Sequence, residues 1–100
     1  MVRHIVIWNY QEGFSPEEKA LKGKEVKEKL EALKEIISGV IALNVHIDPL
    51  SSSTKDVILN SLFESEEALS AYQVHPAHKE VSAFVGTVMK DRVCMDYYES

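Results

Sequence analysis

Tyr72, His75 and His78 place three groups that exchange or share protons near neutral pH within the segment Tyr72-Gln73-Val74-His75-Pro76-Ala77-His78. An imidazole with an unperturbed pKa of about 6.5 is largely neutral at cytosolic pH, so His78 can act as a general base toward a proton alpha to a carbonyl. Tyr72 can then donate a hydrogen bond to the developing enolate oxygen. Groups in these roles each lower a barrier by roughly 2–4 kcal/mol, which suits a condensation or isomerisation of an activated substrate without a cofactor. The same residue types also satisfy a structural role, with His78 capping backbone groups at a helix break and Tyr72 packed in the core. His4 is the third candidate. It shares one strand face with Val6 and Trp8 by the period-two rule, and a buried histidine bonded to a neighbouring strand would leave the same trace.

The elements that must position these groups are legible from pattern. Tyr72 and His75 are three apart and share a helix face, and Pro76 then interrupts the hydrogen-bond ladder so that His78 lies just past a bend. Val2 to Trp8 is β-branched and nearly continuous in apolar character, as in a strand covered on both faces. Ser15-Pro16-Glu17-Glu18 forms a capping box with proline at the first helical position, and Leu30, Leu33 and Ile37 mark the apolar stripe of the helix that follows. Gly23 inside it costs about 1 kcal/mol relative to alanine and reads as a tolerated surface glycine, or else as room left beside the sheet. Glu17 to Glu35 reads as a solvated face with i,i+4 pairs. Gly39 fits the helix C-cap. A second strand runs from Val40 to Ile47 and a third from Asp56 to Phe63, separated by a polar loop. Ser65 with Glu66 and Glu67 starts a second helix, Val81, Phe84, Val85 and Val88 continue it at helical spacing beyond Pro76, and a last strand spans about Arg92 to Tyr98.

The order β-α-β-β-α-β is the split βαβ, ferredoxin-like unit of the α+β class, a four-stranded antiparallel sheet with helices on one face. Its strands read as apolar on both sides, so a second sheet must cover the open face, and an identical chain does so symmetrically. The expected assembly is a homodimer. The 100 residues and 45% apolar content fit one globular domain over 1–100.

With 16 acids against 11 bases and a net charge of −5, the chain has no basic run to attract nucleic acid. The sequence carries no signal peptide and no bilayer-spanning stretch, which fits a cytoplasmic protein that does not use a membrane. Cys94 is the single cysteine, read as a structural residue packed in the core from its apolar strand. No histidines and cysteines show zinc spacing, and His75 and His78 lack a third ligand, so neither metal nor cofactor is expected. His46, near the end of the second strand, reads as a surface residue.

The opening Val2-Arg3-His4-Ile5-Val6, the Gly39-Val40 step, Phe63-Glu64-Ser65, the Tyr72–His78 segment and the closing Asp91-Arg92 with Asp96-Tyr97 together resemble the stress-responsive dimeric α+β barrel (Dabb) domain family. The resemblance covers nearly the whole chain and implies a ferredoxin-like protomer whose sheet pairs with that of a second copy to form a barrel. One plant branch of the family is a polyketide cyclase that closes a linear poly-β-ketone by aldol condensation without metal or organic cofactor. There a histidine and a tyrosine matching His78 and Tyr72 carry the acid-base work beside a histidine matching His4. The chain departs from that branch at Val57, where the branch has a pocket histidine, and at Lys22, Gly23 and Val26, where it has aromatic residues on the first helix.

The resulting expectation is a barrel protein that binds a small apolar or aromatic carbonyl compound, with His78, Tyr72 and His4 as catalytic contacts and Val6, Trp8, Val57, Leu59 and His75 as ligand-binding ones. Two other readings fit the sequence. One is a non-catalytic stress or interaction protein, and the other is a cofactor-free monooxygenase, because related α+β barrels include such enzymes.

Overall fold

The structure is a computed structural model that describes residues 1–99. Strand β1 (Val2–Tyr10) leads to helix α1 (Pro16–Ile36), then β2 (Val40–His46), β3 (Val57–Phe63), α2 (Glu66–Val74), α3 (Pro76–Val88) and β4 (Met89–Tyr98). The four strands form one antiparallel sheet in the order β2-β3-β1-β4. Each crossover helix returns the chain past one intervening strand, which is the ferredoxin-like arrangement.

Local chemistry sets the helix starts. Ser15 Oγ accepts from Glu18 N at 3.1 Å while Glu18 Oε1 accepts from Ser15 N at 3.0 Å, a reciprocal capping box. Ser65 Oγ caps α2 by accepting from Ala68 N at 3.1 Å. At the break, His75 is the N-cap of α3: its Nδ1 accepts from Ala77 N at 3.0 Å, with Pro76 in the first turn where no amide hydrogen is needed.

The helices cover one sheet face. Val2, Val6 and Trp8 of β1, Leu43 and Val45 of β2, and Val57, Leu59 and Phe63 of β3 pack there against Val26, Leu30, Leu33, Leu69, Tyr72 and Val85. At the edge of the sheet, Glu31 Oε2 accepts from Val45 N at 2.9 Å and Lys27 Nζ donates to Val45 O at 2.7 Å. The Lys27–Glu31 pair is therefore more than part of a solvated helix face, because it satisfies backbone groups that an edge strand leaves unpaired.

Three sequence expectations change. Gly23 is buried rather than on the surface, and a Cβ there would displace the Tyr10 hydroxyl, the far end of the side chain that packs over it. The first helix ends before Gly39, with Ile37 as its C-cap. Gly39 instead takes φ +86° in the turn into β2, where a Cβ would lie 2.8 Å from Ala68 Cβ. Cys94 is exposed on the edge strand rather than packed in the core.

The facing of the strand that carries Cys94 has a backbone cause. Ile7 pairs with Val93 and Asn9 with Lys90, so Asp91 and Arg92 together stand opposite Trp8. This β-bulge contains Asp91 at φ +54° and adds one residue to β4. The extra residue reverses the facing of the rest of the strand: Cys94 and Asp96 pair with Val6 and His4 on the helix side, while Val93, Met95 and Tyr97 join Ile7, Ile5 and Arg3 on the open side.

Candidate functional site

His4, Tyr72 and His78 converge on a cavity of about 230 Å³ between the sheet and the helices, with Val6, Trp8 and Leu59 also in its lining. Two of the expected contacts lie elsewhere. Val57 is in the sealed core and His75 turns to cap α3, so neither lines this cavity. His46 is exposed.

β1 carries His4 into the sheet centre, where it is 3% exposed. Its Nδ1 donates to Asp96 Oδ1, the residue directly opposite on β4. Nδ1 therefore carries a proton toward Asp96, and Nε2 is left without a hydrogen-bond partner among the described residues. No side-chain nitrogen or oxygen among the described residues is both sealed and unpartnered, so Nε2 opens onto the cavity.

Tyr72, from α2, is 1% exposed and stands edge-on to Phe63 at 4.9 Å between ring centroids. It also meets the His78 ring at 4.4 Å and His4 at 6.4 Å. Burial pushes its phenol up to about 12, so it stays protonated through the neutral range. Its hydroxyl makes no hydrogen bond among the described residues, and Tyr72 lines the cavity.

His78 lies in the first turn of α3, where its Nδ1 donates to Gln73 O at 3.2 Å across the Pro76 break. The expected capping contact thus exists, and it leaves Nε2 as this ring's acceptor as well. Burial is the largest influence on its proton affinity and holds the imidazole below its ordinary 6.5, outweighing the opposing pull of the Gln73 carbonyl. His78 is neutral at pH 7 and competent as a base.

Asp96 and Arg92 were not among the residues singled out for the site. Asp96 holds His4, and Arg92 lines the cavity from the bulge. The Asp91-Arg92 and Asp96-Tyr97 pairs are visible in the sequence, but only the bulged register brings Asp96 opposite His4. That register also places Cys94 Sγ 3.7 Å from His4 Nδ1 and 3.5 Å from Asp96 Oδ1. Metal-type donors come together here across two strands, without any sequence spacing typical of zinc.

The family model described as the Stress responsive A/B Barrel Domain matches residues 2–99. The chain belongs to this family. The A/B barrel domain is 34% identical to the stress-response A/B barrel domain-containing protein HS1 of Arabidopsis thaliana, over 96% of this chain and 87% of that protein. A solved structure from Bacteroides fragilis, a dimeric protein of unknown function with a ferredoxin-like fold, superimposes with a TM-score of 0.87 at 28% identity, covering 96% of this chain and 93% of that one. A hydroxynitrile lyase from Passiflora edulis shares the fold, with a TM-score of 0.78 at 17% identity over 96% of this chain and 90% of its own. No helix among the described residues is long and apolar enough to cross a membrane.

Proposed function

We propose that the A/B barrel domain binds a small, largely apolar or aromatic carbonyl compound in the His4–Tyr72–His78 cavity and moves a proton on it with its own side chains. The observation that carries this reading is the state of the three polar groups. Two imidazoles have Nδ1 tied to protein oxygens, leaving each Nε2 for a ligand, and the tyrosine hydroxyl beside them has no partner among the described residues. Trp8, Val6 and Leu59 supply the apolar walls.

In this reading His78 takes the proton alpha to the carbonyl, and Tyr72 donates to the oxygen on which charge develops. His4, held by Asp96, is a second acceptor for a hydroxyl or enol group of the ligand. The volume of about 230 Å³ restricts the ligand to a compact molecule, smaller than most drug-sized compounds.

We place the active protein as a homodimer. The open sheet face carries Ile5, Ile7, Ile58, Leu62, Val93 and Met95, an apolar surface that a second sheet would bury. The Bacteroides fragilis relative is itself dimeric.

The test is solvent deuterium exchange at the alpha carbon of aromatic and alkyl ketones and β-diketones, followed by NMR. Exchange is expected to be accelerated by the protein and to fall roughly 10²-fold or more in His78→Gln. No acceleration across such a panel, or acceleration indifferent to His78→Gln and Tyr72→Phe, overturns the reading.

A further inference from the structure

The cavity chemistry uses one side of His4. The other side, held by Asp96, belongs to a wider cluster: His4 Nδ1, Cys94 Sγ and Asp96 Oδ1 all lie within 4.8 Å of one another. We propose that these three residues form a binding site for a thiophilic divalent metal ion, Zn²⁺ in the first instance, with the fourth position left to water or an exogenous ligand.

The donor types and their separations support this assignment. A tetrahedral zinc ion with bonds of about 2.3 Å to sulfur and about 2.0–2.1 Å to nitrogen and oxygen sets its ligand atoms roughly 3.3–3.6 Å apart. Cys94 Sγ already stands 3.7 Å from His4 Nδ1 and 3.5 Å from Asp96 Oδ1. The one separation that must widen is that between His4 Nδ1 and Asp96 Oδ1, now in hydrogen-bond contact. A rotation of the exposed Asp96 carboxylate achieves it, because that side chain is 40% accessible.

Pre-organisation comes from the sheet. His4 and Asp96 are directly paired across β1 and β4, and Cys94 is two residues along the same strand face. The buried imidazole is fixed, while Cys94 and Asp96 are exposed and leave an entry path for the ion. Thiolate, carboxylate and neutral imidazole together neutralise a 2+ charge, and sulfur with imidazole selects zinc-like ions over magnesium or calcium.

The site extends the acid-base reading by giving His4 two states. Without metal, Nδ1 carries the proton and Nε2 accepts. With metal on Nδ1, the remaining ring proton sits on Nε2, and His4 presents a donor to the cavity instead.

The test is titration of the reduced full-length protein with Co²⁺ as a spectroscopic stand-in, then displacement by Zn²⁺. The expected result is one ion per chain, a near-ultraviolet thiolate-to-cobalt charge-transfer band, and protection of Cys94 from alkylation once Zn²⁺ is added. Cys94→Ser should abolish the band. Asp96→Asn should weaken affinity by at least the ~10- to 100-fold that even outer-shell changes cost. Both positions are exposed, so circular dichroism can verify that these variants fold. Absence of the band with Co²⁺ in excess, or binding that survives both substitutions but is lost in His46→Gln or His75→Gln, overturns the site. Neither outcome touches the exchange assay of the metal-free protein, so the two proposals fail separately.

Discussion

Tyr72→Phe should leave the A/B barrel domain as stable as the native chain or up to about 1 kcal/mol more stable, while it impairs the cavity. The Tyr72 ring is 1% exposed and packs on Phe63, His4 and His78, and phenylalanine retains all of that contact. The deleted hydroxyl makes no hydrogen bond among the described residues, so none is lost. A desolvated hydroxyl without a partner costs about 1–3 kcal/mol, and contact with cavity water reduces that penalty, which places the expected gain between zero and about 1 kcal/mol. A hydroxyl bonded to protein would instead give a loss near 1 kcal/mol, or a fall of about 4–8 °C in Tm for a domain of this size. The reference variant Tyr72→Ala removes the ring from a close-packed site and should lose about 3–5 kcal/mol. Urea unfolding at one fixed protein concentration measures all three, with equal slopes required for comparison. A loss of about 1 kcal/mol or more in Tyr72→Phe would show that the hydroxyl has a structural partner and would refute the inference that it is free for a ligand.

The remaining predictions concern pH and assembly. His78 has a folded-state pKa below its ordinary 6.5, so its contribution to stability is complete above that value and is lost as the pH falls through the lower folded one. Between about pH 7.5 and pH 5.5 the native chain should therefore lose more stability than His78→Gln, read from urea midpoints; an equal or smaller loss contradicts the burial argument. Sedimentation equilibrium should report twice the 11.3 kDa chain mass, and Met95→Lys on the open sheet face should shift the protein toward the monomer. A monomer in the native chain would remove the sheet-to-sheet assembly.

The sequence by itself determined the element order, the helix starts and the fold class, because those depend on short-range patterns. The Ser15–Glu18 box, Pro76 and the apolar period of Val2 to Trp8 act within a few residues of themselves. Strand period put His4 on one face with Val6 and Trp8, but that this face meets Tyr72 and His78 followed only from the family resemblance, because His78 lies past the Pro76 break where helix period no longer fixes its facing. The sequence did not reveal the contact of Gly23 with the Tyr10 hydroxyl across the helix–sheet interface, or the capping role of His75, which competes with the cavity for the same imidazole. The pairing of His4 with Asp96 and the approach of Cys94 depend on the single extra residue in β4 opposite Trp8. In a strand each residue of offset exchanges the two faces, so the bulge at Asp91-Arg92 decides which half of the last strand reaches the site, and it is visible only once the strands are paired.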